Sequence, residues 1–172
     1  MPTLPPATRP GRVVLQVSDL ARSVDWYEGV LGLQLLARGR GGTGPVAMLG
    51  GATVLGGPRA EPFLELRELR GATRVPIRGR LGLYHFAILL PDRAALGRLL
   101  SHLLELGVHP GASDHRVSEA LYLQDPDNLG VELYADRPRS EWGYREGELL
   151  MSTDPLNLGS LLQAAEESPL AD

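Results

Sequence analysis

Two side chains stand out for the chemistry they could do together. His85 offers an imidazole nitrogen and Glu132 a carboxylate, each set in an apolar run that alternates with period two. One imidazole and one carboxylate suit a divalent metal. Two His and one carboxylate form the facial triad of non-haem Fe(II) oxygenases. A plain hydrogen-bonded His–Glu pair is the alternative reading of the same residues. Strand alternation puts Phe86, Ile88 and Leu90 on one face and His85 on the other, and sets Val131 and Leu133 against Glu132 and Tyr134. The same rule puts Arg12, Gln16, Glu65, Arg67, Tyr122 and Gln124 on the polar faces of their strands. If helices cover the apolar side, these polar residues line a concave surface, where a ligand site is expected.

The elements that must position them recur. Arg12–Val17 reads as a half-buried strand, and Ser18 and Asp19 can cap a helix that runs to about Gly29. Strands are predicted at 33–37, 45–49, 52–55 and 62–67, with a Gly-rich turn at 39–44. The second half restarts with a strand over 82–90. A helix capped by Asp92 follows, with Leu96, Leu99, Leu100, Leu103, Leu104 and Leu106 as its apolar face and Gly107 as its stop. Strands at 117–124 and 130–135 flank the turn Asp125-Pro-Asp-Asn128. Arg12 superposes on His85 and Asp19 on Asp92, and the Glu65 segment superposes on the Glu132 segment. Each half is therefore a strand, an Asp-capped helix, then strands ending in a Glu between apolar residues. The reading is α+β: two βαβββ modules, 11–70 and 82–136, forming a curved, open-barrel mixed sheet with helices outside. Residues 1–10 read as a disordered tail. Residues 137–172 form a C-terminal extension whose helix starts at Ser152-Thr-Asp-Pro155, with Leu156, Leu158, Leu161 and Leu162 inward and 166–172 frayed.

Composition narrows the class of function. The 172 residues suit about one domain, and 43% hydrophobic content excludes global disorder. All 17 basic residues are Arg and they are scattered, with a formal net charge of −4, so no nucleic-acid partner is expected. The absence of Cys excludes thiolate metal sites and Cys nucleophiles and fits a reducing compartment; a cytoplasmic location is expected. No apolar run is long enough for a transmembrane helix, and the N-terminus lacks a signal-peptide core.

The motifs resemble the vicinal oxygen chelate superfamily of glyoxalase I, bleomycin-resistance proteins and extradiol dioxygenases. Val17-Ser-Asp19-Leu-Ala-Arg-Ser-Val-Asp-Trp-Tyr27 is similar to its first-module opening. Gly82-Leu-Tyr-His85-Phe-Ala-Ile-Leu-Leu-Pro91 and Ala112-Ser-Asp-His115-Arg-Val-Ser-Glu-Ala-Leu-Tyr122-Leu-Gln-Asp-Pro126, followed by Glu132-Leu-Tyr-Ala-Asp, resemble bacterial catechol 2,3-dioxygenase-like proteins. The resemblance covers about residues 11–162 and is strongest over 82–162. Such proteins often carry four modules, so this chain resembles one half. The resemblance implies His85 and Glu132 as metal ligands. It implies His115 and Tyr122 as the groups that bind or shuttle a proton to a catecholic oxygen. Arg12, Gln124 and Tyr134 are then expected to face the substrate. Ser113 and Asn128 depart from the extradiol signature.

Arg12 departs further, because relatives place a His or Gln ligand there and a guanidinium has no lone pair for a metal. Glu65 matches the extra carboxylate of the glyoxalase I pattern, so His85, Glu65 and Glu132 are one candidate ligand set. The other outcome is that Arg12 pairs with Glu65 or Glu132 in place of a metal. The expected function is an extradiol ring-cleavage, dioxygenase-like oxidoreductase acting on a catecholic or other small aromatic substrate through a divalent metal, Fe(II) where one is bound. The alternatives are a metal-free small-molecule-binding protein and a glyoxalase-type lyase or isomerase. A homodimer is left open, with Trp142 as either a packing anchor or its contact. His102 is expected in solvent, His109 in a structural turn, and Trp26 and Tyr27 between helix and sheet. The Gly39–Gly44 run lacks the strand and helix context of a phosphate loop.

Overall fold

In both halves a carboxylate starts a helix and leucine-rich spacing buries it. Asp19 accepts from the Arg22 amide at 3.0 Å and opens α1, Leu20–Gly29. Leu20, Val24, Tyr27 and Leu31 recur at helical spacing and are buried. Asp92 likewise accepts from the Ala95 amide at 2.7 Å and opens α2, Arg93–Glu105. Leu96, Leu99, Leu100 and Leu103 are fully buried, whereas Leu104 and Leu106, expected beside them, face outward. Gly107 ends α2 with a φ of 71°. Its amide bonds the Leu104 carbonyl and the Val108 amide reaches back to Leu103, a closure that needs the left-handed residue glycine tolerates.

The computed structural model describes residues 4–5, 8, 11–42, 44–51, 62–74, 76 and 82–168. The first module contains β1 (Val13–Val17), α1, β2 (Gln34–Arg40), β3 (Pro45–Gly50) and β4 (Leu64–Glu68); the second contains β5 (His85–Leu89), α2, β6 (Gly111–Asp114), β7 (Ser118–Gln124) and β8 (Gly130–Asp136). The sheet orders are β1-β4-β3-β2 and β5-β8-β7-β6. In each, the first strand runs parallel to the last and the remaining pairs are antiparallel. The two βαβββ modules are thus present as two four-stranded mixed sheets that do not close into a barrel. The strand expected at 52–55 lies outside the described residues, as does most of the 1–10 tail.

Two expectations need correction. Gly111–Asp114 is a strand, β6, in a stretch between the α2 stop and residue 117 where no strand is predicted. Pairing to β7 decides it, with Gly111 opposite Tyr122 and Asp114 opposite Glu119. The tail helix, α3 (Leu158–Glu167), starts at the Asn157 cap and not at Ser152-Thr-Asp-Pro155. Asp154 is instead bridged to Asp114. Before α3, a short hairpin pairs β9 (Tyr144–Arg145) with β10 (Glu148–Leu149). Leu161 is fully buried, and α3 packs on α2 over Gly97, where any Cβ would strike the Leu161 carbonyl.

The modules are joined by the Asp125-Pro-Asp-Asn128 turn between β7 and β8. Asp127, almost fully buried, accepts from the Ser18 amide at 2.7 Å, the Ser18 hydroxyl at 2.5 Å and Arg22 at 2.7 Å. Asp125 accepts from the Tyr27 hydroxyl at 3.1 Å and from the amides of Asp127 and Leu129. Burial pushes the Asp125 carboxyl above its ordinary range, against the pull of those N–H groups. Asn128 takes the left-handed conformation, φ 67°, which Asn tolerates. Tyr27 also meets Phe86 of the second module, with ring centroids 6.4 Å apart. Half-buried His102 is bonded to the Gly29 carbonyl at 3.1 Å and does not lie free in solvent.

Removing the Asp127 carboxylate would strand two Ser18 donors and Arg22 at the junction. Asp127→Ala is therefore expected to cost about 2–3 kcal/mol. Chemical denaturation of both proteins measures it, and a loss below about 0.5 kcal/mol would show that the modules are held by apolar packing alone.

Candidate functional site

The second sheet assembles four of the residues named above into one chain of hydrogen bonds. Glu132 and Tyr134 lie on the face of β8 turned away from Val131, Leu133 and Ala135, which are buried beneath the helices. His85, at the start of β5, sits opposite Gly130 in the β5–β8 register. A Cβ at position 130 would come within 2.8 Å of the His85 Cβ and of the Tyr84 carbonyl. A residue without a side chain there lets His85 lie along β8 to its neighbour two places on. His85 Nε2 then stands 3.0 Å from Glu132 Oε2.

Tyr122 is directly opposite Glu132 in the β7–β8 register. Its hydroxyl is 2.9 Å from Glu132 Oε1 and 2.8 Å from His115 Nε2. His115 lies in the tight turn after β6, which Arg116 closes with a φ of 68°. Asp114 stabilises that turn by accepting from the Arg116 amide at 2.7 Å. The loop position lets His115 and Tyr122 meet despite a separation of seven residues. Burial, then the bond to Glu132 and its charge, push the Tyr122 hydroxyl well above the ordinary phenol range. It therefore stays protonated and can act as a donor. Tyr134 is half-buried beside it, its phenol raised by burial and by the charges of Asp136 and Glu132. Gln124 sits at the exposed end of β7, opposite Gly130.

The first sheet treats its corresponding positions differently. Arg12 donates to Glu65 at 2.7 Å, and Arg67 donates to the other carboxylate oxygen at 2.7 Å. The Arg67 hydrogen bond, outweighing burial and helped by the charges of Arg67 and Arg12, holds the Glu65 carboxyl below its ordinary value. Of the two partners expected for Arg12, the structure selects Glu65. Glu65 is thereby engaged in its own sheet and does not join His85 and Glu132. Among the described residues there is no cluster of three or more His, Cys, Asp or Glu side chains placed to hold a metal. The ligand set His85, Glu65 and Glu132 is thus not assembled. The chain offers one imidazole and one carboxylate together, and the first-strand position that would add a third donor holds a guanidinium.

Residues that sequence reasoning missed support this chain from outside. Ser152 carries the carbonyl that His115 Nδ1 meets at 2.7 Å. Arg137 bonds Asp114 at 2.7 Å and buried Glu119 at 2.9 Å. Burial alone would raise the Asp114 carboxyl, but Arg137 and the Arg116 amide bring it below its ordinary value. A signal for Arg137 was available, because the buried carboxylate Glu119 alternates inward between apolar residues and requires a cation. Trp142 bonds the Arg137 carbonyl at 3.0 Å and lies under the Arg139 guanidinium, which anchors it within the chain.

Comparison with known proteins agrees with this architecture. Residues 9–133 match the family described as Glyoxalase/Bleomycin resistance protein/Dioxygenase superfamily, and the chain belongs to that family. It is 45% identical over 159 residues to a protein named catechol-2,3-dioxygenase from Bacillus subtilis. That match takes in 92% of this chain and 52% of the relative, so the chain spans about half the relative's length. The crystal structure of a glyoxylase/bleomycin resistance protein/dioxygenase domain from Frankia sp. superposes with a TM-score of 0.62 at 25% identity, covering 77% of this chain and 94% of that one. A lactoylglutathione lyase from Agrobacterium tumefaciens shares the fold, with a TM-score of 0.55 at 20% identity over 81% of this chain and all of that one. Among the described residues no helix is long and apolar enough to cross a membrane.

The Glu65 geometry has a pH consequence. A carboxyl depressed in the folded state stabilises fully above its unfolded value, near 4.3. That stabilisation disappears as pH falls through the lower folded value. Wild-type protein is therefore expected to be more stable than Glu65→Gln at pH 7, by a margin that is level down to about pH 5 and shrinks below about pH 4. Urea melts across that range measure it; a margin independent of pH would mean the pair contributes through packing and not through charge.

Proposed function

We propose that this chain carries an extradiol-dioxygenase-like site on the concave face of its second module, acting on a catecholic or other small aromatic substrate. The observation that carries the reading is the continuous chain His85–Glu132–Tyr122–His115, with contacts of 3.0, 2.9 and 2.8 Å. The 45% identity to a protein named catechol-2,3-dioxygenase supports it. In this reading His85 and Glu132 are the chain's contribution to a divalent metal site, Fe(II) being the expected ion. When bound, such an ion supplies charge stabilisation and a template for two neighbouring oxygens. The first-strand position that would supply a third donor holds Arg12, paired with Glu65, so the described residues bring two ligands together.

The protein's own groups have distinct tasks. Tyr122, kept protonated, donates a hydrogen bond to an oxygen held near Glu132. His115 takes or returns a proton through Nε2, the nitrogen that faces the phenol. Tyr134 and Gln124 flank the same strands and border the space for an aromatic ring. Arg12 faces the substrate as a fixed positive charge, neutralised in the resting protein by Glu65.

The Arg12–Glu65 pair favours a second reading, a metal-free module that binds a small molecule on the same face. Anaerobic Fe(II) titration separates the two. Wild-type protein is expected to bind weakly through His85 and Glu132, and Glu132→Gln to abolish that binding. Arg12→His replaces a cation by a neutral donor and frees Glu65 from one guanidinium. It should tighten Fe(II) binding at least tenfold, about 1.4 kcal/mol. Oxygen uptake with catechol by the metal-loaded protein is the functional measurement. No Fe(II) binding in either protein would establish the metal-free reading. Tight stoichiometric binding in wild type with no gain in Arg12→His would show that Arg12 does not block the site.

A further inference from the structure

Three members of the hydrogen-bonded chain sit on strands of the second sheet, but His115 is held from outside it. The segment after β8 leaves the sheet, is pinned by Arg137 and Trp142, and returns to form a single β-bridge, Asp154 to Asp114, beside β6. There the Asp114 amide bonds the Asp154 carbonyl at 2.8 Å and the Asp154 amide bonds the Asp114 carbonyl at 2.9 Å. Past this bridge, α3 is locked onto α2 by the buried Leu161 over Gly97 and by Arg93, which donates to the Ser160 carbonyl at 3.0 Å and hydroxyl at 3.1 Å. The segment is therefore anchored on both sides of Ser152.

That anchoring puts the Ser152 main-chain carbonyl 2.7 Å from His115 Nδ1. A carbonyl oxygen only accepts, so Nδ1 must carry the hydrogen of this bond. In the neutral ring the lone pair is then on Nε2, 2.8 Å from the Tyr122 hydroxyl. The opposite tautomer would set a ring lone pair against a carbonyl oxygen, both acceptors, at hydrogen-bonding distance. With Nδ1 protonated, the single hydrogen of the Tyr122 hydroxyl lies between two acceptors, Glu132 Oε1 and the bare Nε2, and can be given to either.

We propose that the C-terminal extension is a working part of the site, with the Ser152 carbonyl as a positioning group that locks His115 in the Nδ1–H form. The ring's one proton-accepting nitrogen is thereby directed at Tyr122 and the space beside Glu132. The extension thus does more than cap the sheet edge: it selects which atom of His115 exchanges the proton. The use of that proton in turnover rests on the dioxygenase-like reading above; the tautomer lock itself does not.

Long-range ¹H–¹⁵N spectra of the full-length, ¹⁵N-labelled protein at pH 8 read the tautomer directly, with His115→Asn supplying the assignment. Wild type is expected to show His115 with Nδ1 protonated and Nε2 bare. Asp154→Pro removes the amide that bonds Asp114 and loosens Ser152. It should shift His115 toward the Nε2–H form that solvated imidazole prefers, and lower kcat for catechol at least tenfold with KM changed less than twofold. A purely structural role for the segment would instead lower the amount of folded protein and leave the His115 signals of the folded fraction unchanged, which would overturn the proposal. So would a wild-type ring with Nε2–H, a result that needs no variant to fold. Wild type that shows the Nδ1–H form yet consumes no oxygen with catechol would sink the dioxygenase-like reading and uphold the lock.

Discussion

A buried carboxylate at one turn holds the two halves of the molecule in register. Asp127 takes both donors of Ser18 and a guanidinium nitrogen of Arg22, residues more than a hundred positions earlier in the chain. Ser18 directly follows β1 and immediately precedes the cap of α1, so one side chain fixes the exit of the first strand and the entry of the first helix. A carboxylate this buried is costly unless every lone pair is used, and the cost of breaking one bond makes the arrangement specific. Asp125, two residues earlier, shapes its own turn through two amides and reaches Tyr27 from the same place. The relative placement of the two sheets therefore depends on a polar junction within an otherwise apolar interior.

Within that frame the repeat has diverged in chemistry while keeping its geometry. In both modules the Glu of the last strand pairs in register with the residue two places after the chemically active one: Val14 with Glu65 after Arg12, and Ala87 with Glu132 after His85. The backbone positions match, yet the first module holds an Arg–Glu–Arg ion cluster and the second a His–Glu–Tyr–His chain. A guanidinium keeps its charge at any working pH, so the first module can neutralise a carboxylate but cannot offer it a metal or exchange its proton. The imidazoles of the second module can do either.

The C-terminal extension completes the second module in a way the first lacks. Arg137 bridges Asp114 and Glu119, and Arg93 reaches from α2 to both Glu119 and Ser160. The same carboxylates that need these cations for burial thereby tie β6, β7, α2 and the extension into one body. The turn that carries His115 is consequently braced on both sides, although Arg116 holds a conformation a non-glycine residue rarely adopts.

Much of this was legible before any coordinates, because it depends on short periods along the chain. The caps Asp19 and Asp92, the leucine spacing of α2 and the common face of His85 and Glu132 follow from repeats of two and of three to four residues. The family motifs around His115 and Tyr122 marked those residues, and the internal repeat implied two modules. What escaped has one cause in common. Strand β6 exists because β7 offers it partners, and the helix starts after the Asn157 cap while Asp154, in the stretch expected to open it, is bridged to β6 instead. The leucines at 104 and 106 face outward because only one side of α2 meets the sheet. Glu65 goes to two arginines across its sheet, and the Asp127 junction and the Ser152 bond join residues far apart in the chain. The last of these uses a main-chain carbonyl, a group every residue carries and no sequence pattern can mark. Local periodicity determined which side chains share a face; only the folded chain decided which of them touch.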